Sequence, residues 1–424
     1  MWAYESVFYQ IYPLGMLGAP YVNADLSEDF VVTHRLNKIE DWIEHIKSIG
    51  ANAIYFNPIF ESDSHGYDTR DYRVIDRRLG TNEDFKRLCG LLHDSGIKVV
   101  LDGVFNHVGR GFWAFKDVVK NRENSPYKDW FFINLNVNSS FNDGLWYEGW
   151  EGVYDLVKLN LKNESVIQYL LDTVKFWIDE FGIDGLRLDV AYLLDRDFLK
   201  RLRKFTDSYK NDFFLLGEIL GGDYKTIMDD TMCHSATNYE CYKGIYSSFN
   251  SKNFFEIIHS LKRQFGPEAW TLYKDKHLLS FVDNHDVTRA ASIIENPEHL
   301  KLMYGFIFTM PGIPCIYYGS EWGVKGEKNY GDHELRAAFE EPEYNELTEY
   351  IARLAKVKTE SMALNYGDFR DMLITGKQCV FKRTYNDEIK VVVINADENP
   401  YTFNIEGTEI EVSPYDMDIL DVKF

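Results

Sequence analysis

The sequence predicts an α/β protein: a (β/α)8 TIM barrel with an inserted subdomain after strand three and a C-terminal antiparallel β-domain. Three observations carry this. Short apolar runs alternate with amphipathic helical segments until eight strands are counted. The alternation breaks once, between 107 and 160, where Trp is interspersed with Asn, Gly and Asp. After about Glu360, helical periodicity gives way to alternating segments around turn residues.

Taken in order, Val7 to Ile11 reads as the first strand. Ile39, Trp42, Ile43, Ile46 and Ile49 then recur at helical spacing, and Gly50 supplies the stop. Ala53 to Phe56 is the second strand. Thr81 with Asp84 forms a capping-box pattern that opens a helix carrying Phe85, Leu88, Leu91 and Leu92. Lys98 to Asp102, rich in Val and Leu, suits a buried parallel strand. The irregular stretch that follows contains Trp113, Trp130, Trp146 and Trp150, and a loop of that length is seldom idle. The pattern resumes with a helix bearing Val166, Ile167, Leu170, Leu171, Val174, Trp177 and Ile178. Strands follow at Gly185 to Leu188, Phe213 to Gly217, about Ala236, Leu278 to Val282, and Ile313 to Tyr317. No glycine-rich phosphate loop follows an early strand, so a closed barrel is favoured over an open doubly wound sheet. CVFKRTY, IKVVVINA and TEIEVS then read as β-strands. The expected division is a barrel over 1–106 and 161–360, an insertion over 107–160, and a β-domain over 361–424.

Composition narrows the function. Of 424 residues, 45% are hydrophobic, enough for a sizeable core. A net charge of −21 without a Lys/Arg cluster argues against nucleic acid or an anionic membrane as partner. A neutral substrate meets no such difficulty. Aromatic residues make up 16%; most serve packing, but aromatic loops also suit the flat faces of sugars. Five cysteines, an odd number without CxxC spacing, read as reduced thiols in a cytoplasmic protein. The N-terminus carries no secretory pattern, and no apolar run reaches transmembrane length.

A parallel barrel builds its site where strands end. Here those ends are polar. The third strand ends in Asp102, followed by Asn106 and His107; the fourth carries Arg187 and ends in Asp189; the fifth ends in Glu218; the seventh leads to Asp283, His285 and Asp286. Each has an ordinary explanation alone: a helix cap for Asp102, an ion pair for Arg187 and Asp189, a surface carboxylate for Glu218, satisfied buried histidines for His107 and His285. Their coincidence at one end of one sheet weakens those explanations, because converging buried carboxylates repel each other. Two facing carboxyls, one ionised and one protonated, are what glycoside cleavage requires. Arg187 would keep Asp189 ionised, and crowding by Asp189 and Asp286 would keep a proton on Glu218.

DGVFNH, GLRLDVAY, LLGEI and FVDNHD resemble, in order, the four conserved sequence regions of the α-amylase family (glycoside hydrolase family 13). HGYDTRDY, YKDWF, LVKLN and MPGIPCIYYGSE extend the likeness over most of the chain. It is nearest to cyclomaltodextrinases, neopullulanases and maltogenic amylases, without the N-terminal β-domain those carry, since the first strand begins almost at Met1. The resemblance implies Asp189 as nucleophile, Glu218 as general acid/base and Asp286 as transition-state stabiliser. It implies that Arg187 orients Asp189, that His107 and His285 bind hydroxyls of the cleaved sugar, and that Tyr67 stacks on it with His65 close by. Asp332 and Arg336 have the spacing of a pair that holds the next sugar. No cofactor is expected. The first loop lacks a calcium pattern and Asp189 is followed by VAYLLD without Lys–His, so calcium is not expected, although Asn106 is suited to contribute to such a site; the histidines have no zinc spacing.

The expected activity is retaining hydrolysis of α-1,4-linked maltooligosaccharides, extending to cyclodextrins or pullulan, by a monomer or weak oligomer. A glucanotransferase would use the same residues, and Val190 leaves α-1,6 cleavage open. A non-catalytic glucan-binding relative is the reading of another class, which the retained Asp189, Glu218 and Asp286 oppose.

Overall fold

The structure, a computed structural model, describes residues 1–24, 32–405 and 407–422. Its centre is the expected barrel. The strands are β1 (Phe8–Ile11), β2 (Ala53–Phe56), β3 (Lys98–Gly103), β4 (Gly185–Leu188), β5 (Phe214–Gly217), β6 (Ser235–Ala236), β7 (Leu279–Phe281) and β8 (Ile313–Tyr317). They pair in parallel in chain order, and β8 returns to β1. A parallel bridge from Thr237 to Leu279 joins β6 to β7, so the sheet curls onto itself rather than ending in two free edges.

The helices follow their sequence signals with one change. Thr81 and Asp84 form the reciprocal capping box at the start of Asn82–Asp94. The segment read as a helix over 39–49 runs as a 3-10 helix from Arg35 to Trp42 before becoming α-helical over Ile43–Ser48. Its start has no side-chain cap, and Leu36 N–H is held instead by Leu79 O at 3.0 Å. Glu164–Phe181 is capped by Asn163, ends at Gly182 in the left-handed region, and buries all seven expected apolar residues. Trp177 stacks on Phe60 at 4.5 Å and on Phe105 at 5.8 Å, while its indole N–H donates to Tyr72 O at 2.7 Å.

Asp184, one residue before β4, ties the bottom of the barrel together. It is buried, accepts from Val99 N–H at 3.0 Å, and pairs with His93, Lys98 and Lys210. Against burial, these partners hold its carboxyl well below the ordinary range. A depressed folded-state value stabilises the fold above the ordinary carboxylate pKa and is lost as pH falls through the folded one. Asp184→Asn is therefore expected to cost about 2 kcal/mol at pH 7. Thermal melts should show the gap from the parent closing between about pH 4 and strong acid.

The insertion is more regular than its composition suggests. It contains the helix Trp113–Asn121 and a three-stranded antiparallel sheet of His107–Gly109, Val153–Lys158 and Gly149–Trp150. The helix has a narrow apolar face, Ala114, Phe115 and Val118, and the strands are two to six residues long, too short for clear periodicity. Trp113 and Trp130 serve packing: they meet Tyr127 and Tyr169 at ring distances of 4.9 to 5.6 Å. Gly109 is required by close approach, since a Cβ there would lie 2.4 Å from Asp68 O. The insertion thus seats directly on the loop after β2.

At the C-terminus, β9 (Asp368–Ile374), β10 (Gln378–Tyr385) and β11 (Glu388–Asn395) precede a hairpin of β12 (Tyr401–Ile405) and β13 (Thr408–Val412) and the final strand β14 (Asp416–Asp421). The antiparallel order is β9-β10-β11-β14. Buried Arg383 on β10 donates to Thr309 O and Gly367 O, fixing this sheet to the barrel. All five cysteines are buried free thiols. Among the described residues, no helix is long and apolar enough to cross a membrane.

Candidate active site

Strand register assembles the site. Arg187 on β4 lies level with Asp102 on β3, and Leu188 lies level with Gly103 and Gly217. One rung further, Asp189 N–H reaches Gly103 O at 3.2 Å and Glu218 N–H reaches Leu188 O at 3.0 Å. Period-two alternation then turns Asp102, Arg187, Asp189 and Glu218 toward the barrel axis.

Arg187 does not serve Asp189 alone. Its Nη1 contacts Asp102 Oδ1 at 2.9 Å and Asp189 Oδ1 at 2.7 Å, and its Nη2 meets Glu218 Oε1. Asp102 is thus a buried partner of the guanidinium and not the helix cap that an isolated Asp at a strand end suggests. All four groups are at most 6% exposed. One cation among three carboxyls leaves excess negative charge in a buried site. Burial pushes Asp189 up to about 7 against the pull of Arg187, and pushes Asp102 up to about 6. Glu218 is raised by burial, against Arg187, and by the charges of Asp189 and Asp286. The site therefore favours holding a proton among these carboxyls near neutral pH, and Arg187 is too divided to keep Asp189 ionised by itself.

Asp286 behaves differently. Although burial opposes it, His285 Nε2 at 3.0 Å and Arg336 Nη2 at 2.9 Å hold Asp286 well below the ordinary carboxylate range. Arg336 also reaches Asp332 Oδ2 at 3.1 Å and lies over the Tyr12 ring at 4.6 Å. Lys328 pairs with the other oxygen of Asp332 at 2.5 Å. His285 is lowered by burial and stacks with Tyr12 and Tyr67 at 6.0 and 5.8 Å. Its Nδ1 meets Gln10 Nε2 at 2.9 Å.

These groups border a cleft of about 540 Å³. His65, Tyr67, His107, Asp189, Glu218, Asp286, Asp332 and Arg336 line it, while Arg187 and His285 stand behind the lining and touch it through Asp189, Glu218 and Asp286. All ten sequence-derived candidates are therefore brought together. Gly66, at φ +90°, makes the turn that sets His65 and Tyr67 on the wall. His107 is pushed down to about 3 by burial, so it is neutral at neutral pH, and its Nε2 has no hydrogen-bond partner among the described residues. Asp283 is the carboxylate that does not join: its Oδ2 accepts from Ala290 N–H and the Ser320 hydroxyl.

Sequence reasoning missed several lining residues. Trp150 and Leu156 come from the insertion, Tyr192 from the turn after β4, and Tyr239 from the helix after β6. Trp150 sat in an aromatic-rich tract that flagged the region without singling it out; Tyr239 follows a two-residue strand that leaves almost no pattern. Val190, also on the wall, adopts φ +39° and ψ +47°, and donates its N–H to Glu218 Oε2 at 2.9 Å. For a β-branched residue that conformation costs on the order of 1–3 kcal/mol.

Residues 33–363 match the family model for the α-amylase catalytic domain. The chain is 31% identical to a cyclomaltodextrinase of Geobacillus thermopakistaniensis over 435 residues, covering 96% of this chain and 72% of that protein. It is 31% identical to an intracellular maltogenic amylase of Bacillus subtilis over 413 residues, covering 93% and 69%. Among solved structures, the ligand-free cyclic α-maltosyl-(1→6)-maltose hydrolase of Arthrobacter globiformis superposes with a TM-score of 0.85 at 28% identity, covering 99% of both chains. A barrel whose strand ends deliver three carboxylates to one cleft, matched across three quarters of its length by that catalytic domain, places this chain in the α-amylase family of glycoside hydrolases.

Proposed function

We propose that the protein is a retaining α-glucoside hydrolase acting on α-1,4-linked maltooligosaccharides, extending to cyclodextrins or pullulan. The observation that carries this reading is the shared guanidinium. Asp189 and Glu218 both contact Arg187, one at each terminal nitrogen, so the two carboxyls face one guanidinium, which supports the close pairing, roughly 5–5.5 Å, that a covalent intermediate uses. The wider spacing of roughly 6.5–9.5 Å, which leaves room for a water, belongs to inverting enzymes.

In this reading Asp189 attacks the anomeric carbon as the bond to the leaving sugar breaks, and the Glu218 proton passes to the departing oxygen. Water then attacks the glycosyl-enzyme, gives its proton to Glu218 and releases Asp189, restoring the α configuration. Asp286, held ionised by His285 and Arg336, faces the positive charge that builds on the sugar ring. Neutral His107 binds its hydroxyls, His285 acts from behind the wall by holding Asp286 and Tyr67, Tyr67 and His65 form the wall, and Asp332 with Arg336 holds the next unit. The insertion over 107–160 closes one side of the cleft through Trp150 and Leu156. The name of the Bacillus subtilis relative supports an intracellular setting.

Product profiles on maltotriose, β-cyclodextrin and pullulan in separate reactions test the assignment. Shorter sugars alone, released with retained α configuration by NMR, are the expected outcome. Products longer than maltotriose would replace hydrolysis by glucanotransfer, and β-anomeric products would refute the retaining mechanism.

A further inference from the structure

Val190 is the one β-branched residue among the described non-glycine positions with positive φ. Glycine would make that turn without strain, so the branched side chain calls for a reason. The residue sits directly after Asp189 and opens the short helix Ala191–Leu193, and its carbonyl accepts from Leu193 N–H at 2.8 Å. The residue is 6% exposed and lies on the cleft wall. Its N–H reaches Glu218 Oε2 at 2.9 Å, while the other oxygen of Glu218 meets Arg187. The carboxyl is thus pinned at both oxygens by two residues of one chain segment, one charged donor and one neutral.

We infer that Val190 is a positioning residue, whose left-handed turn aims a main-chain N–H at Glu218 and fixes the rotamer from which the carboxyl meets the leaving oxygen. A stiff, buried, branched side chain restricts this turn to one conformation, where glycine would sample several. The inference rests on the reading of Glu218 as the proton donor.

The test removes the N–H alone. Replacing Val190 by its α-hydroxy acid turns the amide into an ester and keeps the side chain. Maltotriose needs leaving-group protonation; α-maltosyl fluoride does not. For the ester variant, kcat on maltotriose should fall on the order of tenfold. KM should hold, and the burst of fluoride should stay within about twofold in rate, because little is asked of the acid in that step. The basic limb of the maltotriose pH profile should move to higher pH, since a donor that favours the ionised carboxyl is gone. Val190→Gly should show the same split between substrates and should melt above Val190→Ala, because alanine carries the left-handed penalty that glycine avoids. Equal losses on both substrates, or an unchanged maltotriose profile in the ester variant, would overturn the inference. Glu218→Ala is the control for the underlying assignment: a retained burst of fluoride supports Glu218 as the acid, and its loss overturns that assignment whatever Val190 does.

Discussion

Asp189→Asn is expected to lower kcat/KM on maltotriose roughly 10⁴-fold or more while making the protein harder to unfold. The two effects have one origin. Asp189 is placed, buried, beside two other carboxyls that share the Arg187 guanidinium, and its carboxyl is pushed up to about 7. Between the ordinary carboxylate value of about 3.9 and this raised value, the folded protein binds a proton that the unfolded chain has lost. Stability contributed at this position therefore falls as pH rises through that window, and the full cost applies above pH 7. An uncharged asparagine does not carry it. Melting curves should show the variant gaining a few degrees over the parent at pH 8 and little below pH 4. A variant that melts lower at pH 8 would mean that Asp189 is a structural ion-pair partner of Arg187 and not a carboxylate held at a cost for chemistry.

Glu218→Gln is expected to cost about 10²–10⁴ in kcat on maltotriose, the usual range for losing a positioned acid. The loss should be far smaller on α-maltosyl fluoride, whose leaving group departs without a proton, until breakdown of the glycosyl-enzyme limits turnover. Asp189→Asn, in contrast, should abolish both. That contrast separates the two carboxyls by role, which their similar burial does not. The fall of kcat/KM on the alkaline side, set in the parent by a carboxyl raised through burial and through Asp189 and Asp286, should flatten in Glu218→Gln. Equal activity of the variant on both substrates would remove Glu218 from the role of acid.

The structure changed the electrostatic argument more than the list of residues. From sequence, Arg187 and Asp189 alternate on one strand, which suggests a private pair. The register of β3 against β4 adds Asp102 to the same guanidinium, and the register of β4 against β5 adds Glu218. Pairing across strands is a long-range fact, and no local pattern around Arg187 reports how many carboxyls will share it. The regular secondary structure of the insertion was hidden for a related reason. Its strands are short and its aromatic residues are consumed by packing, so periodicity had too few residues to declare itself.

By itself the sequence determined the eight strands, the helix cap at Thr81, and which strand ends carry carboxylates, because these depend on spacing within about twenty residues. Only the tertiary structure decided which carboxyls share Arg187, which wall Trp150 and Tyr239 complete, and that Val190 must turn left-handed to touch Glu218. Those depend on strand register and on the docking of segments far apart in the chain, where the energy lies in contacts between elements and not in the preferences of any one of them.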